Sequence, residues 1–189
     1  IIQIAEKHNL AIFYDEMYSG LVHSGTKPIP SSADLSDNAI VLSGLSKTYG
    51  LPGLRTGWLI IQDEAIRENI INWKYYTSIC PPAPSEFLAM AALKVWKQLR
   101  DKNIAIIEKN LAVADDFFNR WPELFNWRKP KAGSVGLVGV NIPSVEALSK
   151  ELVKAGVLIQ PAGMLGMDDK HIRMGFGGLD FEPGLAKFE

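Results

Sequence analysis

Apolar residues fall along this chain in short blocks, set apart by Gly, Pro, Asp and Asn. In Ile1–Leu10 they occupy positions 1, 2, 4 and 5, the spacing of a helix with one buried face. Leu10 to Tyr14 is a continuous apolar run that ends in Asp15-Glu16. Continuous rather than alternating apolar residues predict a strand buried on both faces, as in a parallel sheet covered by helices. Residues 19–38, rich in Ser, Gly, Pro, Asp and Asn, predict an irregular loop. Two more apolar runs, Ala39–Leu42 and Trp58–Ile61, predict buried strands joined by a loop shaped by Gly and Pro.

Asp63 to Ile79 has a helical pattern, with Asp63 and Glu64 at the end where negative charge is favourable, and Pro81, Pro82 and Pro84 stop it. Ser85 is a candidate N-cap for a long helical stretch from Glu86 to about Arg120, ended by Trp121-Pro122. That length predicts a break around Arg100–Asn103, and Phe117, Phe118 and Trp121 are expected in the core. Beyond Phe125 the blocks shorten. Ser134–Val140 predicts a strand, and Ser144 caps a helix through Ala155 with Gly156 as its left-handed terminator. Val157–Gln160 predicts a short strand, Pro161–Gly163 a turn, and His171–Gly175 a last strand before a short helix. There is no internal repeat or low-complexity segment.

Composition narrows the class. The chain is 47% hydrophobic and 22% charged with a formal net charge of −1, an ordinary globular balance. Near-neutral charge and a pI near 6.4 give no electrostatic reason to expect nucleic acid or an anionic membrane as partner. No apolar run approaches the roughly 18 residues of a membrane span. The single cysteine, Cys80, excludes an internal disulfide and fits a reducing, cytoplasmic setting. With no His beside it in sequence, Cys80 reads as a structural thiol. His8 and His23 lack ligand-spaced companions, so no metal site is expected. The chain starts without Met, in a helix already under way, and we expect it to be the C-terminal half of a longer protein.

The candidate chemistry sits in Ser43-Gly-Leu-Ser-Lys-Thr-Tyr-Gly-Leu-Pro-Gly-Leu-Arg-Thr-Gly-Trp58. A lysine on a loop at the end of a buried strand is poorly solvated, which favours its neutral amine, a Schiff-base nucleophile. Arg55 and the hydroxyl residues flanking Lys47, Ser46 and Thr48, suit a phosphate, because a guanidinium fork matches phosphate oxygens. A nucleotide-binding P-loop is excluded, since Ser46 rather than Gly precedes Lys47. A Ser-x-x-Lys pair is excluded because Gly44 holds the serine position. The bland alternative is a surface Lys and Arg on an ordinary turn. Asp15 falls at the carboxyl end of a strand, where ligands of parallel sheets sit, although such an Asp is also a common cap or turn residue.

Gly44-Leu-Ser-Lys-Thr-Tyr-Gly-Leu-Pro-Gly-Leu-Arg55, followed by Gly57-Trp58, resembles the cofactor-lysine signature of class I/II aminotransferases. These are fold-type I enzymes that depend on pyridoxal 5'-phosphate (PLP). The resemblance implies that Lys47 carries the cofactor as a Schiff base and that Arg55 holds its phosphate. Many members carry Ser at the position of Gly44, so Ser43 or Ser46 would supply that hydroxyl, and Thr56 replaces a small aliphatic residue. Asp-Glu-Met-Tyr18 resembles the family's Asp-Glu-x-Tyr element, in which Asp15 pairs with the pyridine nitrogen and Tyr18 bonds the ring oxygen. Glu16 has no assigned role. His-Ile-Arg-Met-Gly-Phe resembles the family's late strand and makes Arg173 the ligand of the substrate α-carboxylate. Gly163 and Gly166 match a glycine-bearing turn.

The fold implied is α/β. Residues 1–100 would form the C-terminal part of a PLP-transferase large domain, a mostly parallel sheet with helices, and residues 101–189 a small α+β domain. The function implied is transfer of an amino group between an α-amino acid and a 2-oxo acid, in a cytoplasmic homodimer. Near a dimer interface, Tyr75, Tyr76 and Thr77 would face a neighbouring active site, or more simply pack. Two alternatives stay open: a PLP-dependent lyase or decarboxylase, and the PLP-sensing domain of a transcriptional regulator.

Overall fold

The computed structural model describes residues 1–188, which divide between Asp101 and Lys102 into two compact units. The first opens on helix α1 (Ile2–Lys7) and strand β1 (Ile12–Asp15). Asn9 takes a left-handed conformation (φ 50°), and the Leu10 amide turns back to the Ala5 carbonyl at 2.8 Å. That closure of α1 consumes Leu10, so the strand starts two residues later than the apolar run. Strands β2 (Ala39–Gly44) and β3 (Gly57–Ile61) match their apolar runs in extent, but β3, expected to be buried, has no buried residue, and its Leu59 and Ile60 are exposed. The sheet order is β1-β2-β3, with β1 parallel to β2 and β3 antiparallel to it, so one of the two pairings departs from the parallel expectation.

Val41, at the centre of β2, is fully buried, with Leu21, Ala39 and Leu45 around it. β1 is not buried on both faces as its apolar run predicts. It is an edge strand among the described residues, and its residues alternate half-buried and exposed. Phe13 is 61% exposed.

Helix α2 (Glu64–Thr77) begins where the sequence places it, with Asp63 Oδ1 accepting from the Ile66 amide at 2.8 Å. No residue of α2 is buried, and Tyr75 and Tyr76 are exposed rather than packed within this chain. Helix α3 (Ala83–Lys94) starts earlier than expected. Pro84 lies in its first turn, where a missing N–H costs nothing, and Ser85 is therefore inside the helix and not its cap. The break before α4 (Trp96–Arg120) falls at Val95, not around Arg100–Asn103. The Val95 amide bonds the Ala92 carbonyl at 3.0 Å, a tightened turn that ends α3.

In the second unit, strands β4 (Phe125–Trp127), β5 (Val135–Val140), β6 (Gln160–Pro161) and β7 (His171–Gly175) form an antiparallel sheet of order β4-β5-β7-β6. On its inner face Val138, Ile172 and Met174 are buried. α4 contributes Leu111, Phe117 and Phe118, and the Phe118 ring meets Phe125 and Trp127 at 5.0 Å each. Trp121, expected in the core, is exposed; its carbonyl instead receives the Leu124 and Phe125 amides in the turn after α4. Helix α5 (Val145–Lys154) is capped by Ser144, whose Oγ accepts from the Ala147 amide at 3.1 Å. Gly156 (φ 79°) ends it, and the Val157 amide closes onto the Leu152 carbonyl at 2.9 Å. As at α1, that closure shortens the next strand, so β6 holds Gln160 and Pro161 instead of Val157–Gln160. Helix α6 (Phe181–Leu185) follows β7.

Candidate functional site

The first unit brings the sequence-predicted residues Asp15, Tyr18, Ser43, Ser46, Lys47 and Arg55 onto one end of its sheet. β1 and β2 are parallel with Asp15 in register with Leu42, so their carboxyl ends lie side by side. The turn after β1 is built by Asp15 itself: its Oδ1 accepts from the Met17 amide at 3.0 Å. Glu16 serves that turn from the other side, its amide donating to the Leu42 carbonyl and its Oε1 accepting from the Ser32 amide at 2.7 Å. The structural use of Glu16 agrees with its lack of a chemical role.

The loop after β2 is anchored onto that turn through Thr48. Its hydroxyl donates to the Met17 carbonyl at 3.0 Å, and its amide reaches the same oxygen at 3.3 Å. Thr48 is buried, and Gly20 is the residue whose missing side chain lets its methyl group in. The neighbouring Lys47 Nζ then stands 5.7 Å from the centroid of the Tyr18 ring. Thr48, which the sequence offers only as a hydroxyl flanking the lysine, is thus a positioning residue.

Lys47 itself is exposed, which corrects the expectation of a desolvated amine. Although β2 is buried at Val41, the loop beyond its end leaves Lys47 exposed. Ser43, the last residue but one of β2, lies opposite Trp58, and Ser46 is half-buried beside the lysine. Gly44 has a steric reason. A Cβ there would meet the Gly57 Cα at 2.9 Å and the Thr56 carbonyl at 3.0 Å, so this chain has no room for a serine at that position.

Arg55 caps the short 3-10 turn Pro52–Leu54 in a left-handed conformation (φ 53°, ψ 32°). Non-glycine residues seldom take this conformation, and its cost concentrates at functional positions. Its Nη1 donates to the Pro52 carbonyl at 3.2 Å.

Arg173 belongs to the second unit, on β7, on the same sheet face as His171 and opposite Leu137 of β5. A groove of about 620 Å³ on that unit is lined by Arg128, His171 and Arg173 with Gly139 and Leu137, and by no carboxylate. His171 Nδ1 lies 2.6 Å from Asp168 Oδ1. That bond, followed by one from the Lys170 amide, holds the Asp168 carboxyl below its ordinary value of 3.8. Gly166 (φ 76°) supplies the left-handed residue of the predicted glycine turn. No group of His, Cys, Asp and Glu among the described residues is arranged to hold a metal ion.

Comparison with known proteins follows the same lines. The family model for aminotransferase class I and II matches residues 1–182. A probable aspartate aminotransferase of Methanocaldococcus jannaschii is 33% identical over 135 residues, 69% of this chain and 35% of that protein. The HTH-type transcriptional regulator NorG of Staphylococcus aureus is 27% identical over 93% of this chain and 40% of its own length. A PLP-dependent aminotransferase from Streptococcus suis superposes with a TM-score of 0.90 at 28% identity, over 99% of this chain and 50% of the other. This chain therefore spans half or less of the relatives that it matches. By the match over residues 1–182, and by the fold shared with PLP-dependent aminotransferases, the chain belongs to the class I and II aminotransferase family.

Proposed function

We propose that this chain is the cofactor-lysine half of an enzyme that transfers an amino group between an α-amino acid and a 2-oxo acid with the help of PLP. The observation that carries the reading is the junction of the two motifs. Thr48 fastens the lysine loop to the Asp15–Tyr18 turn, and Lys47 Nζ stands 5.7 Å from the Tyr18 ring. The donor set fits the cofactor. A carboxylate suits a protonated ring nitrogen, a phenol suits the ring oxygen, an exposed amine suits a carbonyl, and a guanidinium with two hydroxyls suits a phosphate.

When bound, PLP supplies a carbonyl that condenses with amines and a ring that withdraws electrons. Asp15 would keep a proton on the ring nitrogen, and Tyr18 would donate to the ring oxygen. Arg55, with Ser43 and Ser46, would hold the phosphate. Lys47 Nζ would bind the cofactor and later carry the proton removed from the substrate Cα. Arg173 would grip the α-carboxylate and so set the amino group's orientation.

A second reading is favoured by one observation, the similarity to NorG along 93% of the chain. In that reading the same residues bind PLP and an amino acid as a sensor. Single-turnover conversion of an amino acid to its 2-oxo acid by the PLP-loaded full-length protein decides between them. Conversion well above that of free PLP supports the enzyme; binding without conversion supports the sensor.

A further inference from the structure

Gln160 and Arg173 are register partners across β6 and β7, and Arg173 Nη1 donates to Gln160 Oε1 at 2.8 Å. The backbone under Gln160 is held on both sides. Pro161 pairs with Ile172, and Ala162, which follows it, is fully buried. Before it, Gly156 and Val157 close the end of α5. Among the described residues no carboxylate pairs with Arg173.

We propose that Gln160 is a positioning residue for carboxylate recognition, an inference that rests on the reading of Arg173 as the substrate-carboxylate ligand. An amide oxygen accepts one guanidinium N–H and contributes no charge. It fixes the rotation of the planar fork, leaves the remaining N–H groups for a carboxylate, and preserves the full positive charge. A glutamate at this position would keep the length and the hydrogen bond. Its negative charge, however, would occupy the fork with a charge-assisted pair that an incoming carboxylate must displace. A leucine would keep the bulk and lose the acceptor, leaving the guanidinium to sample other rotamers.

These substitutions separate positioning from simple structural support. The probe is whichever common L-amino acid the parent full-length, PLP-loaded protein binds most tightly. Its dissociation constant is measured by calorimetry for the parent, Gln160→Leu, Gln160→Glu and Arg173→Lys. PLP affinity is measured alongside.

We expect Gln160→Leu to weaken amino-acid binding several-fold and Gln160→Glu to weaken it about tenfold or more, with PLP affinity within about twofold of the parent. A structural hydrogen bond gives the opposite order, because glutamate preserves both shape and acceptor. Equal or milder weakening in Gln160→Glu than in Gln160→Leu, or a matching loss of PLP, overturns the proposal. Arg173→Lys keeps the two readings apart. If it binds the amino acid like the parent, or the parent binds none, the assignment of Arg173 fails and this proposal falls with it. If Arg173→Lys is weakened while Gln160→Glu is not, only the role of Gln160 fails.

Discussion

Lys47 and Gly44 show how differently two residues of one motif depend on their surroundings. Lys47 is exposed, so on the proposed function its reactivity would come from what binds beside it rather than from burial by this chain. Borohydride treatment of the PLP-loaded full-length protein should fix the pyridoxyl group on Lys47, and Lys47→Ala should abolish that labelling. Label recovered on Lys27 or Lys74 would refute the assignment. Gly44 is set by packing, with the Gly57 backbone at 2.9 Å from where its Cβ would lie. Gly44→Ser should therefore cost about 1–3 kcal/mol of stability, because the atoms it meets are backbone and cannot rotate away. Urea unfolding measures this, and an unchanged midpoint would show that β2 and β3 separate freely.

At the scale of elements, the N-terminus of α5 is tied to the turn before β7. Asp169 Oδ1 accepts from the Glu146 amide at 2.9 Å. The Ser144 hydroxyl is the largest cause, and that amide the next, of an Asp169 carboxyl held below its ordinary value of 3.8. A folded-state value below the unfolded one means that the ionised form is favoured by folding. The stabilisation is complete above about pH 3.8 and is lost as pH falls through the lower folded value. Protection of the Glu146 amide, the intrinsic exchange rate at each pH divided by the observed one, should fall below pH 3.8, and Asp169→Asn should lower that protection already at neutral pH. A protection factor that does not change with pH between 5 and 2, roughly the carboxylate range, would disconnect Asp169 from the cap. The two shortened strands belong to the same scale. At α1 and α5 alike, the residue after a left-handed terminator bonds back to the helix, so an apolar residue that looks like strand is spent on the cap.

At the scale of the whole molecule, the first unit exposes many large apolar side chains. Ile4, Leu10 and Phe13 are exposed around α1 and β1, and Trp73, Tyr76 and Phe87 on α2 and α3. Exposed edges and apolar patches of this kind drive association. The chain spans half or less of its relatives, and on the proposed function its residues would supply one end of a cofactor site. We therefore predict that residues 1–189 alone do not transaminate, and that they self-associate or aggregate unless another polypeptide covers those faces. Single-turnover assays with excess PLP, against free PLP, together with light scattering, test this. A monomer that turns over well above the control would contradict it.

The candidate site residues could be named from the sequence because the chemistry proposed for them depends on residue type and short spacing. Lys47, Arg55, Asp15 and Tyr18 each lie in a motif readable without neighbours. The blocks of apolar residues likewise located β2, β3, β5 and β7, since burial on a sheet face is written directly into composition. What the sequence left open depends on pairs far apart along it. That Thr48 anchors to Met17, that Gly44 faces Gly57, and that Gln160 meets Arg173 are consequences of strand register. The exposure of Phe13 and Trp121, which one-dimensional hydrophobicity assigns to the interior, and of Lys47, expected to be poorly solvated from its place after a buried strand, likewise depends on distant neighbours. Hydrophobic pattern states which residues favour burial; only the tertiary structure decides which of them this chain has enough neighbours to bury.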